Sequence, residues 1–207
     1  MSKIKICGLK TLQDIKIVNK YLPDYIGFIL APSKRQITLE QARLLKRNLT
    51  PSIKVVGVFV NEKVEVIKQY VDEKIIDIVQ LHGDETSKMA NEIQETLKIP
   101  VIKVYRVKDE LGLELIKEDI ANLNTKYILF DTYHEKNYGG SGESFDWSLL
   151  KDIESPYFLA GGIGENNIDM ALKLEPEVID LSSSVETNGM KDESKVSKMI
   201  NYIRDNS

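Results

Sequence analysis

The sequence predicts an α/β fold, and three observations support this class. Eight short apolar runs recur along the chain, each four to seven residues long. The segments between them carry apolar residues three or four positions apart, which is the period of a helix. The last such segment follows the eighth run, so no residues are left over for a second domain. Eight strand–helix units predict a single-domain (β/α)8 barrel of the TIM type over residues 1–207, although a doubly wound open sheet would show similar periodicity.

Each run is predicted to be a parallel strand, because continuous apolar runs are typical of strands buried on both faces. The predicted strands cover residues 3–7, 25–30, 54–60, 77–81, 101–105, 127–131, 157–160 and 178–181. Helices are predicted between them from triplets such as Leu12, Ile15 and Val18. The fifth helix is expected around residues 111–123 and the last over 196–203.

The composition is that of an ordinary globular protein and excludes several function classes. Of the 207 residues, 42% are hydrophobic and 29% are charged, and the net charge is −4. An acidic chain without a basic stripe has no electrostatic footprint for nucleic acid. No apolar run approaches the roughly 20 residues that cross a bilayer. The single cysteine, Cys7, cannot form an internal disulfide, which fits a reducing compartment, so we expect a cytoplasmic protein.

Polar residues follow the predicted strands, at the end where parallel α/β folds carry their chemistry. Cys7 ends the first strand and precedes Gly8, and Asp131 ends the sixth. Taken alone, Cys7 is equally consistent with a small apolar residue that fills a strand end. The other strand ends add hydroxyl, amide, imidazole and guanidinium groups: Pro32-Ser33-Lys34-Arg35, Asn61, His82-Gly83-Asp84, Arg106, Gly161-Gly162 and Ser182-Ser183-Ser184. A thiol, an arginine, a histidine and a carboxylate gathered at one end favour a catalytic rim.

The last two strand ends predict a phosphate site. Gly161 and Gly162 follow the seventh strand, and Ser183 lies in a run of three serines after the eighth. Glycines let backbone N–H groups approach an anion closely, and barrels commonly hold a phosphate at this position. A pair of tight turns would also explain the glycines, but three serines after an apolar strand would make a poor core.

Through the motifs at these strand ends, the chain resembles a known family, the phosphoribosylanthranilate isomerases. The resemblance spans nearly the whole sequence. In chain order its motifs are Lys5-Ile6-Cys7-Gly8, Gly27-Phe28-Ile29, Ser33-Lys34-Arg35, Val56-Gly57-Val58-Phe59-Val60-Asn61, Val79-Gln80-Leu81-His82-Gly83-Asp84-Glu85, Phe130-Asp131-Thr132, Gly139-Gly140-Ser141-Gly142, Phe145-Asp146-Trp147, Leu159-Ala160-Gly161-Gly162 and Asp180-Leu181-Ser182-Ser183. Two positions depart from the family's pattern, because Lys34 replaces its usual proline and Ser184 replaces a frequent glycine.

The resemblance implies an isomerase of tryptophan biosynthesis that needs neither a cofactor nor a metal. The implied reaction is the Amadori rearrangement of N-(5-phosphoribosyl)anthranilate, a phosphorylated small molecule, to its 1-deoxyribulose 5-phosphate derivative. By the match, Asp131 is the general acid that opens the ribose ring, and Cys7 is the general base that removes the C2 proton. Arg35 is expected near the anthranilate carboxylate and Asp180 near the ribose hydroxyls. His82 receives no role.

Two further expectations concern the loops and the assembly. The glycine-rich stretch 137–142 follows Asp131, and a loop there can close over the substrate, although a merely flexible loop would have the same sequence. The protein is expected to be a monomer or a homodimer.

Two other function classes stay open. Another sugar-phosphate barrel enzyme, such as an indole-glycerol-phosphate synthase or a ribulose-phosphate epimerase, would share the phosphate end. It should, however, carry catalytic lysines or metal-binding histidines on its rim, and the only histidines are His82 and His134. A non-catalytic barrel kept as a binding module would be expected to lose Cys7 or Asp131 first, and both are present.

Overall fold

The structure, a computed structural model, describes residues 1–132, 146–153 and 155–207. Eight parallel strands form a closed barrel in chain order, and the eighth strand is hydrogen-bonded to the first. This closure is the TIM-barrel architecture. The predicted single-domain (β/α)8 barrel is therefore confirmed, and the alternative of an open doubly wound sheet is wrong. Among the described residues, no helix is long and apolar enough to span a membrane.

The barrel strands match the eight predicted runs to within two residues at either end. They are β1 (Lys3–Cys7), β2 (Tyr25–Ile29), β3 (Lys54–Phe59), β4 (Ile78–Leu81), β5 (Val101–Val107), β6 (Tyr127–Thr132), β7 (Tyr157–Leu159) and β8 (Val178–Leu181). The largest difference is in β5, which continues two residues past Tyr105. Arg106 and Val107 stay in register with Asp131 and Thr132 of β6, so the pairing continues where the apolar run stops.

The described chain contains seven α-helices, of which five begin at a threonine or aspartate whose side chain caps the N-terminus. They are α1 (Leu12–Tyr21), α2 (Leu39–Arg47), α3 (Val64–Asp72), α4 (Ser87–Leu97), α5 (Glu110–Ile120), α6 (Ile168–Leu172) and α7 (Glu193–Asn206). Thr11 caps α1 and Thr38 caps α2, each in a reciprocal capping box with the residue three positions on. The last helix extends beyond the predicted 196–203 because Asp192 caps it upstream of Val196.

The sixth strand–helix unit differs from the predicted pattern. In the described part of the connection from β6 to β7, the helical segment is a 3₁₀ helix, Trp147–Asp152, rather than an α-helix. Its buried residues are Trp147 and Leu150, three positions apart. A 3₁₀ helix repeats every three residues, so this spacing places both side chains on one face of it. Two apolar residues are too few for the apolar stripe of an α-helix.

The barrel interior is apolar over part of its length and polar towards the carboxyl ends of the strands. A cluster of buried apolar residues fills the inside, comprising Tyr25, Val56, Ile78, Ile102, Val104, Leu129, Phe158, Ala160 and Val178. Because strand residues alternate between the two faces, Lys5, Gln80 and Asp180 point to this same inner side. All three are buried, which concentrates polar groups beneath the rim where the predicted site lies.

Candidate active site

Cys7 lies at the rim, where β1 ends. Its side chain is buried, with 8% of the residue exposed. Gly27 of β2 is its register partner, and a Cβ atom on Gly27 would fall 2.5 Å from Cys7 Sγ. The glycine therefore makes room for the thiol. Gly8 follows with φ +85°, a left-handed conformation that glycine adopts without strain, and turns the chain away from the strand.

Lys5 lies two residues before Cys7 on the same inward face of β1. It is fully buried, and its Nζ lies 2.5 Å from Asp180 Oδ2 and 2.8 Å from Gln80 Oε1. Lys5 and Asp180 are register partners on neighbouring strands, so the barrel closure itself forms this ion pair. Burial opposes the charged ammonium, but the Asp180 carboxylate and the Cys7 sulfur outweigh it and raise the pKa of Lys5 above its ordinary value.

The sequence assigned no role to His82, but the structure places it against Asp131. His82 Nε2 lies 3.0 Å from Asp131 Oδ2, and the Thr132 backbone N–H donates to Asp131 Oδ1 at 2.8 Å. A Cβ atom on Gly161 would fall 2.7 Å from Asp131 Oδ1 and 2.3 Å from Thr132 Oγ1. The glycine after β7 thus lets its loop lie directly beside the carboxyl group of Asp131.

The two predicted proton-transfer residues therefore share one buried polar network. Asp131 contacts His82, His82 Nδ1 lies 2.8 Å from Gln80 Nε2, and Gln80 contacts Lys5, the close neighbour of Cys7. Burial raises the pKa of the Cys7 thiol, and the ammonium groups of Lys5 and Lys191 lower it in part. Hence the site contains both a buried thiol with cations beside it and a buried carboxyl group.

Arg35, which is predicted to bind the carboxylate of a ligand, forms an ion pair with a carboxylate of the protein, that of Glu186. Its Nε and Nη2 donate to Glu186 Oε1 and Oε2 at 2.8 and 2.9 Å. Hydrogen bonding to Glu186 raises the pKa of the guanidinium above its ordinary value. Within the described residues Nη1 makes no hydrogen bond. The side chain crosses Gly8, where a Cβ atom would meet Arg35 Cδ at 2.6 Å, so Arg35 lies beside the turn that follows Cys7.

Glu186 comes from a hairpin that the sequence did not predict. The chain after β8 forms a 3₁₀ turn, Ser183–Val185, and then two short strands, β9 (Glu186–Thr187) and β10 (Met190–Lys191). Asn188 and Gly189, both with positive φ, form its two-residue turn. Lys191 is buried, and its Nζ donates to Glu186 Oε1 at 2.8 Å and to Ser182 O at 3.0 Å. The hairpin thus brings a second buried cation to the rim.

The predicted phosphate residues lie at two neighbouring strand ends. Gly161 and Gly162 have φ values of +89° and +69°. In the described chain, neither of their N–H groups donates to another residue. Ser183 begins the 3₁₀ turn after β8. Two unpaired backbone donors without side chains, beside a serine turn, form a suitable anion site.

Asp180 offers a hydrogen-bond acceptor that no protein group uses in the described structure. Oδ2 accepts from Lys5, whereas Oδ1 is buried and has no partner among the described residues. A buried unpaired acceptor is costly, so a ligand hydroxyl would be a favourable partner. This geometry agrees with the expectation that Asp180 lies near the ribose hydroxyls, which remains a prediction.

Sequence reasoning missed Lys5, Gln80, Glu186 and Lys191. A signal existed for two of them, because Lys5 and Cys7 are two residues apart on β1, and Gln80 lies two residues before His82, which directly follows β4. Strand residues two apart share a face, so both polar residues point into the barrel. In the described part of the chain, no three histidine, cysteine or acidic side chains are grouped to hold a metal. The stretch 137–142, expected to form a loop over the substrate, lies outside the described residues.

Comparison with known proteins decides the family. A model of the N-(5'phosphoribosyl)anthranilate (PRA) isomerase family matches residues 4–202. The chain belongs to this family. The predicted family and the predicted class of enzyme, an isomerase, are therefore confirmed. Among similar proteins, the N-(5'-phosphoribosyl)anthranilate isomerase of Endomicrobium trichonymphae is 45% identical over 205 residues, covering 99% of both chains.

Solved structures of PRA isomerases share the fold over their whole length. The enzyme of Thermotoga maritima superposes with a TM-score of 0.87 at 33% identity, covering 99% of this chain and 100% of the other. A PRA isomerase in complex with reduced 1-(o-carboxyphenylamino)-1-deoxyribulose 5-phosphate gives a TM-score of 0.84, again at 33% identity and over 99% and 100% of the two chains. The second of these relatives therefore binds a phosphorylated ligand that carries a carboxylate.

Proposed function

We propose that this chain isomerises N-(5'-phosphoribosyl)anthranilate to 1-(2-carboxyphenylamino)-1-deoxy-D-ribulose 5-phosphate in tryptophan biosynthesis, with Cys7 as general base and Asp131 as general acid. The observation that carries the assignment is that a buried thiol and a buried carboxyl group lie at the carboxyl ends of β1 and β6 and join one polar network. Family membership supplies the reaction, and the geometry supports the roles.

Asp131 starts the reaction by giving a proton to the ribose ring oxygen. The bond between C1 and that oxygen breaks, and the lone pair of the anthranilate nitrogen forms the C=N bond of an iminium ion. Asp131 Oδ1 accepts a hydrogen bond from the Thr132 N–H, and Oδ2 contacts His82 Nε2 at 3.0 Å. A second lone pair remains on each oxygen, where the transferable proton is held.

Cys7 completes the proton transfer at C2. Its thiolate removes the C2 proton, the C–H electron pair forms the C1–C2 double bond, and the iminium electrons return to nitrogen to give an enolamine. Tautomerisation then adds a proton at C1 and removes one from the C2 hydroxyl, so the overall reaction consumes no proton. The substrate nitrogen is the electron sink, and the protein residues needed are one acid and one base.

The rest of the rim supports binding of a substrate with two anionic ends. The N–H groups of Gly161 and Gly162, with Ser183, suit the phosphate. Arg35 Nη1 suits the anthranilate carboxylate at the other end, since a guanidinium donates charge-assisted hydrogen bonds to carboxylates. Asp180 Oδ1 suits a ribose hydroxyl. We place this chemistry in the cytoplasm and in a single domain covering residues 1–207.

The assembly state is part of the proposal and has its own test. The Thermotoga maritima relative is a dimeric enzyme from which monomers have been generated. We infer a monomer or a homodimer for this chain, and sedimentation equilibrium of the purified protein distinguishes the two. A larger assembly would contradict the inference.

The function is tested by adding the purified protein to freshly prepared N-(5'-phosphoribosyl)anthranilate and following the loss of its anthranilate-type fluorescence. Mass spectrometry of the product should show an unchanged mass, as an isomerisation requires. We expect turnover in buffer containing a chelator and no added cofactor. A folded protein that leaves the fluorescence at the rate of a protein-free control would contradict the function.

A further inference from the structure

Gln80 lies inside the barrel between Lys5 and His82 and contacts both through its amide group. Its Oε1 is 2.8 Å from Lys5 Nζ, and its Nε2 is 2.8 Å from His82 Nδ1. Gln80, Lys5 and His82 are 1%, 0% and 9% exposed, respectively. The contacts are therefore shielded from solvent, where an unpaired polar atom would be costly.

These contacts fix which nitrogen of His82 carries the proton. The Lys5 ammonium has only donors, so the Gln80 oxygen must face it. The amide nitrogen of Gln80 then faces His82 and, being a donor only, requires an acceptor at Nδ1. Nδ1 therefore carries no proton, and the neutral imidazole has its proton on Nε2. That N–H points at Asp131 Oδ2, 3.0 Å away.

We propose that Gln80 is a positioning residue that fixes His82 as the Nε2–H tautomer, so that His82 donates to Asp131 Oδ2 and orients this carboxyl group for proton transfer. Lys5 sets the direction of the whole chain of contacts, because its own position is held by the ion pair with Asp180. The functional part of the inference rests on the proposed role of Asp131 as general acid. The tautomer itself does not.

Without the Gln80 amide, His82 should no longer be restricted to the Nε2–H tautomer. With no donor at Nδ1, the imidazole proton can move to that nitrogen, and the bare Nε2 would then accept the Asp131 proton that the reaction needs instead of donating to Asp131 Oδ2. Asp131 would lose the hydrogen bond that it accepts from His82, and its proton would be directed at His82 rather than at the substrate. A misoriented acid lowers the rate of the proton-transfer step without weakening the binding of phosphate or carboxylate.

The tautomer can be observed directly because the chain has only two histidines. His134→Gln leaves His82 as the single imidazole, and ¹⁵N NMR of the histidine-labelled protein then reports both of its ring nitrogens. We expect Nδ1 to give the resonance of an unprotonated nitrogen and Nε2 that of a protonated one. A protonated Nδ1 in this protein would overturn the proposal, whatever the activity of any variant.

Two substitutions of Gln80 test whether it positions His82. Gln80→Glu keeps the shape of the side chain but replaces the donor with an acceptor, so Nδ1 should become protonated. Gln80→Met removes both polar atoms. Each should lower kcat at least about tenfold while KM changes less than about twofold, because positioned proton transfer is worth roughly 100-fold to 10,000-fold. Gln69→Glu on the exposed surface of α3 adds the same charge and should change neither quantity.

Failure of the inference and of the proposed function would look different. If Asp131→Asn kept its activity while His82 showed the expected tautomer, the acid assignment would fail and the tautomer would stand. If Gln80→Glu left Nδ1 unprotonated, or if Gln80→Met kept the wild-type kcat, Gln80 would not position His82. Should neither variant fold, the wild-type spectrum alone decides the tautomer.

Discussion

Arg35 and Glu186 form a bidentate salt bridge, in which Nε and Nη2 of the guanidinium lie 2.8 and 2.9 Å from the two carboxylate oxygens. Residues 151 positions apart are thereby joined beside the end of β1, between the segments that follow β2 and β8. The pair leaves Nη1 as the remaining donor edge and restricts the direction in which it points. Glu186 is thus the residue that orients Arg35, and Nη1 is the edge that the proposed carboxylate ligand would meet.

We expect Arg35→Ala to weaken binding of the carboxylated substrate by about tenfold to a hundredfold, because a hydrogen bond to a charged group contributes roughly 1.5–3 kcal/mol. An analogue without the anthranilate carboxylate should lose far less affinity. Inhibition constants for both ligands make the comparison. Equal losses would mean that Arg35 shapes the loop and does not bind the carboxylate.

Two further variants serve as controls for this experiment. Glu186→Gln keeps a hydrogen-bond acceptor for Arg35 but removes the charge, so it should cost less affinity than Arg35→Ala. Lys34 stands where the family has proline and is exposed beside Arg35. If Lys34 substitutes for the missing guanidinium, Arg35→Ala combined with Lys34→Ala will lose more affinity than Arg35→Ala alone.

Cys7 is the only cysteine, so the proposed base can be titrated without interference from another thiol. Burial raises the pKa of Cys7, so the thiolate fraction should still be increasing with pH above about 8.5, the ordinary value for a thiol. The rate of alkylation by iodoacetamide should show this rise. The value of kcat/KM should rise over the same range, because a general base must be deprotonated to act.

Lys191 lowers the pKa of Cys7, so Lys191→Met should move the alkylation curve to higher pH. Lys16→Met removes an exposed lysine and should leave the curve unchanged. An alkylation midpoint below that of a free thiol in the wild-type protein would mean that the cations outweigh burial, and would contradict a raised pKa for Cys7.

The proposed phosphate site predicts that inorganic phosphate competes with substrate at Gly161 and Gly162. A valine at position 162 would strain a backbone with φ +69° and place bulk beside the N–H groups. We expect Gly162→Val to raise the phosphate inhibition constant by about tenfold or more, since charge-assisted hydrogen bonds are lost. Gly189→Val, at φ +73° in the hairpin turn, is a matched control for backbone strain. Phosphate affinity that falls equally in both variants would contradict the placement.

The ion pair of Lys5 and Asp180 gives a prediction for stability. Lys5→Met leaves a buried carboxylate without its cation and should lower the free energy of unfolding by about 3–5 kcal/mol, measured by urea denaturation. This deficit should shrink as the pH falls, because the unpaired Asp180 has a raised pKa in the folded variant and protonation there favours the folded state. Lys5→Met combined with Asp180→Leu should recover most of the loss. A double variant as unstable as the single one would mean that the ion pair is not the cause.

The fold could be predicted from the sequence because each strand is a short run of mostly apolar residues and there are eight such runs. The limits of that prediction are visible at Arg106, a polar residue that stays in β5 through its register with Asp131, and at Trp147, whose 3₁₀ helix replaces the predicted α-helix. Both depend on tertiary pairing, which local periodicity does not record.

For the site, the strand ends identified Cys7 and Asp131, whereas the contacts between residues on different strands were not predictable. Period-two alternation shows that Lys5 and Gln80 point inwards, but it does not show which inward residues meet. That depends on the stagger of the closed barrel, which sets Lys5 against Asp180 and brings Lys5 within reach of Gln80.

The turnover of Cys7→Ser tests the central claim most directly. A hydroxyl is a far weaker acid than a thiol, so the variant keeps the shape of the site but lacks a base at neutral pH. We expect the isomerisation rate to fall by at least about 100-fold, with phosphate affinity and thermal stability close to those of the wild type. Asp131→Asn should give a loss of the same order at the acid side. A Cys7→Ser enzyme that retains more than about a tenth of the wild-type rate would contradict the assignment of Cys7 as the general base.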